Sequence, residues 1–254
     1  MIDTHCHLAD KAFAGDLAAV LGRARTAGVG RFICIADSFA EAEQCIAIAD
    51  REENVFCAVG VHPHNAKEWV PGDEQRLRSL ILRSRNVRAV GEIGLDYHYD
   101  LSPREDQKHV FEMQLRIAKD VGLPAVVHCR DSITELRAMI REVQPEKLVL
   151  HCCTERFEDV EPLLAKGYFL SFTGIATYPD ADVVRDTIRR CPLEQLMVET
   201  DAPYLAPVPY RGKRNEPAFV EEVIRRVAEV KGMPFAEMEQ ITARNAERFF
   251  ALGA

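Results

Sequence analysis

Histidine and acidic side chains recur in this chain at the ends of short apolar runs, where they could bind metal ions. His5 and His7 close the first run, and their i, i+2 spacing puts both imidazoles on one side of a strand. His62 and His64 follow the third run. The other residues of this kind lie in or just after later runs: Glu92, His128, His151 and Asp201. Imidazole and carboxylate ligands together suit Zn, Mn or Fe, and carboxylates with water suit Mg or Mn.

This set is larger than a single tetrahedral metal ion needs. Two ions about 3.5–4 Å apart, with one carboxylate bridging them, would use the additional ligands. Glu92 is the natural bridge, because its strand lies opposite the first and the last strand of an eight-stranded barrel. We therefore predict two divalent ions per subunit (Mg, Mn or Zn). The predicted metal ligands are His5, His7, Glu92, His128, His151 and Asp201.

Short β-branched apolar runs alternate with longer amphipathic segments along the whole chain. The predicted strands are residues 2–6, 31–36, 55–61, 87–93, 124–129, 147–152, 168–173 and 195–200. Residues 104–121 and the segment that begins at Val220 have the apolar spacing of helices, with a break near Gly232 and Pro234. Nearly continuous apolar strands separated by helices predict a parallel sheet that is covered on both sides.

A (β/α)8 barrel and a doubly wound open sheet would both give this alternation. The placement of the histidines and acids favours the barrel, because the C-terminal ends of barrel strands meet on one face, where active sites are built. A chain of 254 residues is long enough for one such barrel, and no linker or repeat divides it. We predict one α/β domain over residues 1–254, a TIM barrel with extra C-terminal helices.

Composition and missing motifs exclude several classes of protein. The net charge of −8 argues against a broad, positively charged surface that binds nucleic acid, although a bound metal ion can still attract phosphate. Eight cysteines without C-x-x-C spacing argue against a disulfide scaffold or a zinc ribbon. No signal peptide or membrane span is evident, so we expect a cytoplasmic protein without a membrane partner or an obligate protein partner. The absence of G-x-S-x-G, P-loop and G-x-G-x-x-G motifs disfavours serine hydrolases and nucleotide-cofactor enzymes.

Several longer stretches contain these candidate residues. They are IDTHCHL (2–8), VGVHPH (59–64), VGEIGLDY (90–97), PAVVHCRD (124–131), SFTGIATYP (171–179) and ETDAPYLAPVPYRGKRNEP (199–217). In this order, and over nearly the whole chain, they resemble the TatD family of metal-dependent hydrolases. The resemblance implies a single barrel with a binuclear metal site. It also implies a metal-dependent deoxyribonuclease, often with 3′→5′ exonuclease character, whose partner is the end of a DNA substrate.

The same resemblance implies a role for each candidate residue. The ligands of one metal would be His5, His7, Glu92 and Asp201. The ligands of the other would be Glu92, His128 and His151. The residues on the substrate side would be His62, His64 and Arg130.

One segment departs from the family pattern. After His151 the family commonly has Cys-Phe-Ser-Gly, whereas residues 152–156 here are Cys-Cys-Thr-Glu-Arg. The ligand is kept, but a small Ser-Gly pair is replaced by a charged segment, which bears on substrate preference. In addition, the fourth strand carries Glu92 rather than the lysine with which many binuclear amidohydrolases bridge their metals. This difference disfavours a phosphotriesterase or cyclic-amidase activity.

Asp201 and a basic loop complete the predicted active site. Asp201 could coordinate one metal and accept the proton of the attacking water, which is the role of a general base. Arg211, Lys213 and Arg214 lie in the loop after the eighth strand, a region that barrels often use for phosphate. A basic loop that is merely solvated is the alternative interpretation.

Two alternatives to the nuclease activity fit the same ligands. One is the hydrolysis of another ester, for example in D-aminoacyl-tRNA, and the other is a metal-binding barrel without catalysis.

Tyr97 and Tyr99 follow the fourth strand, and we expect them to pack their loop rather than to stack on a base.

Overall fold

The structure is a computed structural model that describes residues 1–253. Its sheet has eight strands. In chain order they are β1 (Ile2–Cys6), β2 (Arg31–Ile35), β3 (Val55–Val59), β4 (Val87–Asp96), β5 (Ala125–Arg130), β6 (Leu148–Leu150), β7 (Phe169–Phe172) and β8 (Leu196–Val198). They follow one another in the sheet in the order β1 to β8. The chain beyond β8 returns to β1, where Ala202 pairs in parallel with Cys6. This consecutive order is that of a barrel, whereas the strand order of a doubly wound sheet reverses.

Helices connect the strands and continue after the last one. They are α1 (Leu17–Thr26), α2 (Phe39–Arg51), α3 (Asp73–Arg83), α4 (Arg104–Val121), α5 (Ile133–Val143), α6 (Phe157–Leu164), α7 (Asp182–Arg190), α8 (Val220–Lys231) and α9 (Phe235–Phe250). The predicted helix over residues 104–121 coincides with α4. The break between α8 and α9 occurs where it was predicted, because Gly232 adopts a left-handed φ of 66° and Pro234 precedes α9. Within residues 1–253, none of the helices combines the length and the apolar character needed to cross a membrane.

The strands occupy the predicted apolar runs and differ from them at their ends. The largest extension is in β4, which continues past Ile93 to Asp96. The extension needs Gly94, because a Cβ atom there would lie 2.0 Å from the carbonyl oxygen of His128 in β5. The longer strand brings Asp96 to the side of β4 that carries Glu92, since residues i and i+4 of a strand share a face.

The chain divides into two compact units. We call them the terminal unit, which is Met1–Cys34 with the chain from Cys152 onward, and the central unit, which is Ile35–His151. The terminal unit contains the parallel pairs β1–β2 and β7–β8, and the central unit contains the consecutive parallel pairs from β3 to β6. The residues of β1, β6, β7 and β8 are all buried, including the polar Asp3, Thr4 and His5 of β1 and Ser171 of β7. The prediction of a single domain stays a prediction.

Candidate metal centre

Three of the predicted ligands converge in the terminal unit. The Nε2 atoms of His5 and His7 lie 3.2 Å apart. A carboxylate oxygen of Asp201 lies 3.6 Å from Nε2 of His5 and 3.3 Å from Nε2 of His7. Cys6, which lies between the two histidines, points away from them, and its thiol donates to the carbonyl of Ile33. The alternation of side chains along β1 therefore puts both imidazoles on one side, as predicted from their spacing.

The backbone around Asp201 holds its carboxylate beside the histidines. The N–H of Asp201 donates to the carbonyl of His5 at 2.9 Å, and its φ of 58° lies in the left-handed region that residues other than glycine rarely adopt. The preceding Thr200 is bound by Asp3, whose carboxylate accepts the Thr200 N–H at 2.9 Å and the hydroxyl at 2.6 Å. Because an unfavourable φ persists only where surrounding contacts impose it, the Asp3–Thr200 contact helps to fix the position of Asp201.

Asp3 and Glu199 are buried acids whose described hydrogen-bond donors are neutral groups. Glu199 accepts the Ser171 hydroxyl at 2.5 Å and the Cys152 N–H at 2.7 Å. Burial raises the pKa of Asp3 to about 7, against the opposing effect of its hydrogen bonds with Thr200. Neither acid was predicted from the sequence to have a role. Their contacts make them supports of the backbone on which the ligands lie.

In the central unit three imidazoles converge on one carboxylate oxygen. Oε1 of Glu92 lies 2.7 Å from Nε2 of His151, 3.0 Å from Nδ1 of His128 and 3.4 Å from Nε2 of His62. Glu92 is buried in β4, His128 belongs to β5 and His151 directly follows β6, so neighbouring strands bring them together. His62, Glu92 and His128 form a group that could hold a metal ion. The substrate-side role of His62 stays a prediction, and its position also suits metal binding.

Asp96 orients two imidazoles of the central unit. Its Oδ2 lies 3.0 Å from Nε2 of His128 and 2.9 Å from Nε2 of His64. Since Nε2 of His128 is used in this contact, Nδ1 is the nitrogen that faces Glu92. A carboxylate that accepts the second N–H of a ligand histidine fixes the tautomer and the ring orientation and makes the ligand nitrogen more basic. Asp96 therefore prepares His128 to bind a metal through Nδ1.

The charges in this cluster change several pKa values. Burial raises the pKa of Asp96, but the hydrogen bonds from His128 and His64 outweigh it, and the pKa lies well below its usual range. Burial lowers the pKa of His128, but its hydrogen bonds to Asp96 and Glu92 outweigh this effect, and the net shift is upward. For His62, burial outweighs the attraction of Glu92, and the pKa is lowered. A neutral imidazole has the lone pair that metal binding requires, so the lowered pKa suits His62 as a ligand.

Asp96 is the residue of this site that the sequence analysis missed. A signal for it exists in the stretch GEIGLD, because Glu92 and Asp96 are four positions apart and both can lie on one side of a strand. The predicted strand ends at Ile93, three residues before Asp96. The missing information was the close approach of β5 at Gly94, which depends on a partner strand distant in the sequence.

His64 and Arg130, both predicted on the substrate side, occupy more open positions of the central unit. The His64 side chain is 28% exposed, while the Asp96 that binds it is buried. Arg130 is exposed at the end of β5, and its guanidinium carbon lies 4.7 Å from the ring centre of Tyr99. Their substrate contacts stay predictions.

The basic residues of the loop that is predicted to bind phosphate lie in two different environments. Arg214 donates to the carboxylate oxygens of Asp16 at 2.9 and 2.7 Å and to Glu216 at 3.0 Å, so its guanidinium takes part in an ion-pair network. Arg211 instead lies over the ring of Tyr178, with 4.1 Å between the guanidinium carbon and the ring centre. A phosphate role stays a prediction for both, but the contacts favour Arg211 over Arg214.

The donor atoms and their spacing fit divalent metal ions. Ligand atoms on a tetrahedral Zn²⁺ lie about 3.3 Å apart when metal–ligand distances are about 2.0–2.1 Å. The separations are 3.2–3.6 Å in the terminal unit. In the central unit they are 2.7–3.4 Å. Mixed imidazole and carboxylate donors are the ligands that Zn, Mn and Fe prefer.

Comparison with solved structures defines the class of the fold. A crystal structure of YJJV, a TatD homolog from Escherichia coli K12, is similar with a TM-score of 0.94 and 31% sequence identity, over 99% of this chain and 98% of that chain. Together with the strand order, this similarity confirms the (β/α)8 TIM barrel and excludes the open sheet. Barrels of this class carry their active sites at the C-terminal ends of the strands, where the ligand groups described above are found.

Comparison of the sequence identifies the family within that class. The family model of TatD related DNases matches residues 2–251. Uncharacterized metal-dependent hydrolase YabD of Bacillus subtilis (strain 168) is 34% identical over 254 residues, which cover 99% of each protein. A 3′-5′ ssDNA/RNA exonuclease TatD of Cronobacter sakazakii is 34% identical over 263 residues, covering 100% of this chain and 99% of that protein. The chain therefore belongs to the TatD-related DNase family of hydrolytic enzymes, and the predicted family resemblance is confirmed.

Proposed function

We propose that the protein is a metal-dependent nuclease that shortens single-stranded DNA from its 3′ end by hydrolysing phosphodiester bonds. The observation that carries the proposal is the convergence of three imidazoles on the buried carboxylate of Glu92, in a chain of the TatD-related DNase family. The name of the Cronobacter sakazakii relative, a 3′-5′ ssDNA/RNA exonuclease, supports both the polarity and the single-stranded substrate.

In this proposal the ligand groups belong to one binuclear centre in a single barrel domain over residues 1–254. The ligands lie at or near the C-terminal ends of strands, and in a (β/α)8 barrel these ends share one face. One ion would be held by His5, His7, Glu92 and Asp201. The other would be held by Glu92, His128 and His151, so Glu92 is shared. Bound divalent ions (Mg, Mn or Zn) would lower the pKa of water and neutralise negative charge on the phosphodiester.

The protein's own groups then place and move the proton. Asp201 is the general base: its side chain is 13% exposed, so water can reach it, and its carboxylate accepts the proton of that water. His64 is oriented by Asp96, which accepts the N–H at Nε2, so Nδ1 of the neutral ring can accept a hydrogen bond from a water molecule or a hydroxyl group of the substrate. Arg211 adds a positive charge for a phosphate further along the strand.

A polarity assay tests the proposal. Single-stranded DNA labelled at its 5′ end is incubated with the protein and Mn²⁺ or Mg²⁺, and we expect a ladder of labelled products that shortens from the 3′ end. A chelator should abolish the reaction, and added Mg²⁺ or Mn²⁺ should restore it, because the ligands are oxygens and imidazoles. The Asp201→Asn variant, purified in the same way, is the control for contaminating nucleases. Full activity in metal-free protein would refute the proposal.

The same assay includes the alternative substrates. D-aminoacyl-tRNA and a chromogenic phosphotriester are offered to the wild type and to Asp201→Asn under the same conditions. If one of them is hydrolysed by the wild type while DNA is not, the protein is a metal-dependent hydrolase with a different substrate. A cytoplasmic location stays a prediction from the sequence.

A further inference from the structure

Tyr99 is an exposed aromatic side chain next to the candidate metal centre. It is 53% exposed, although it lies only three residues after the buried Asp96. Its ring centre is 5.6 Å from that of His64 with the planes at 88°, and 4.9 Å from that of His98 with the planes at 86°. The ring of Tyr99 thus contacts His98 of its own loop, as expected, but about half of its surface is open to solvent.

The neighbouring Tyr97 shows what a packing tyrosine looks like in this loop. Its hydroxyl donates to the carboxylate of Glu135, and Arg104 lies over its ring at 4.2 Å. Tyr97 is partly buried, and burial together with the Glu135 contact raises its pKa. Tyr97 thus joins α4 and α5 to the end of β4, whereas Tyr99 leaves half of its surface to solvent.

The backbone that carries Tyr99 is tied to the acid that orients the histidines. Oδ1 of Asp96 accepts the backbone N–H of Tyr99 at 2.8 Å and that of His98 at 3.0 Å. Oδ2 of the same carboxylate contacts Nε2 of His64 and of His128. One buried carboxylate therefore sets the positions of both the exposed ring and two histidines. Such preorganisation reduces the entropy that would be lost when a ligand binds.

The exposed ring of Tyr99 lies beside Arg130, and arginine next to an aromatic ring is common where proteins bind single-stranded nucleic acid. Its guanidinium carbon lies 4.7 Å from the ring centre of Tyr99, within the range of a cation–π contact. Single exposed aromatic residues are common on protein surfaces and need no explanation by themselves. An aromatic ring with an arginine beside it, fixed next to a phosphodiester-cleaving site, has the components of a stacking platform for single-stranded nucleic acid.

We infer that Tyr99 stacks on a nucleobase of the substrate near its 3′ end, with the Arg130 guanidinium holding the ring and contributing positive charge. The inference rests on the proposed nuclease function and names the part of the substrate that this surface recognises. It explains a preference for single strands, because a base paired in a duplex does not offer its face to the ring. It also implies tolerance of sequence, since every base has an aromatic face.

Abasic oligonucleotides test the inference. Single-stranded DNA is prepared intact and with one base removed at each of the last positions before the 3′ end in turn. Binding is measured by fluorescence anisotropy in the presence of chelator, so that no hydrolysis occurs, and kcat/KM is measured with Mn²⁺. The wild type should bind one of the abasic oligonucleotides roughly 5- to 150-fold more weakly than intact DNA, the range that the loss of one stacked base gives.

Variants of Tyr99 complete the test. Tyr99→Ala should bind intact DNA as weakly as the wild type binds the critical abasic oligonucleotide and should not discriminate between the two, whereas Tyr99→Phe should behave as the wild type. Leu82→Ala, at an exposed site on α3, is the control for a surface truncation. If Tyr99→Ala discriminates as the wild type does, the stacking role is wrong and the nuclease function stands. If the wild type neither binds nor cuts any of the oligonucleotides, the nuclease function itself is wrong, and the stacking role with it.

Discussion

The candidate metal ligands of the terminal unit and those of the central unit are held in position by different means. In the terminal unit, Asp3 accepts hydrogen bonds from the backbone and the hydroxyl of Thr200, and so restrains the backbone that leads into Asp201. In the central unit, Asp96 contacts the imidazoles of His64 and His128 directly. One buried acid therefore supports a ligand through the backbone, and the other supports ligands through their side chains.

The pKa shifts of the two acids follow from this difference. Asp3 is surrounded by neutral donors, so burial prevails and raises its pKa to about 7. Asp96 faces two imidazoles, whose hydrogen bonds outweigh burial and lower its pKa. A charged acid raises the basicity of the other ring nitrogen of the histidine that it contacts, whereas a restraint on the backbone changes only geometry. The comparison predicts that metal affinity depends more strongly on Asp96 than on Asp3.

The largest effect is expected for Glu92→Ala. This change removes the carboxylate on which His62, His128 and His151 converge, and it removes the proposed bridge between the two ions. Metal content after dialysis, measured by elemental mass spectrometry, should be well below that of His128→Ala. Two ions per chain in Glu92→Ala would show that the bridging assignment is wrong.

Asp201→Asn should reduce turnover strongly while the fold is kept. The amide has nearly the same shape as the carboxylate but cannot accept the proton of water, and general-base contributions are typically about 10²–10⁴-fold. Initial rates on single-stranded DNA measure the loss, and circular dichroism checks the fold. A folded variant with near wild-type turnover would contradict the role of Asp201.

The matched variants Asp96→Asn and Asp3→Asn test the predicted difference between the two buried acids. Asp96→Asn removes the negative charge behind His128, and loss of such a supporting acid typically costs about 10- to 100-fold in metal affinity. Asp3→Asn should cost less, because an amide can still pair with the N–H and the hydroxyl of Thr200. Titration of metal-free protein with Mn²⁺ or Zn²⁺ gives both affinities. Equal losses in the two variants would mean that geometry alone governs the affinity.

The smallest effects are expected in the basic loop. Arg211→Ala should weaken binding of single-stranded DNA and reduce the log–log salt slope by about 0.7, the value for one lost phosphate contact. Arg214→Ala should instead lower the melting temperature and leave the slope unchanged, because its guanidinium is paired with Asp16 and Glu216. Identical salt curves for wild type and Arg211→Ala would support the merely solvated loop.

Much of the fold was predictable because strands and helices have different apolar periods. The strand runs and the helix over residues 104–121 follow from that local signal. The ends of strands were less predictable, since they depend on the neighbouring strand. β4 extends to Asp96 because β5 passes close to Gly94, and this contact is not visible in the β4 sequence alone.

The sequence alone was enough to predict which side chains could bind a metal and on which strands they lie, because residue type and periodicity are local properties. It also identified the family, because the motifs lie in their expected order along the chain. Only the tertiary structure showed that Asp96 contacts His64 and His128, that Arg214 is paired with Asp16, and that Tyr99 is exposed. These features depend on hydrogen bonds and burial between segments distant in the sequence, and such contacts exist only once the chain has folded.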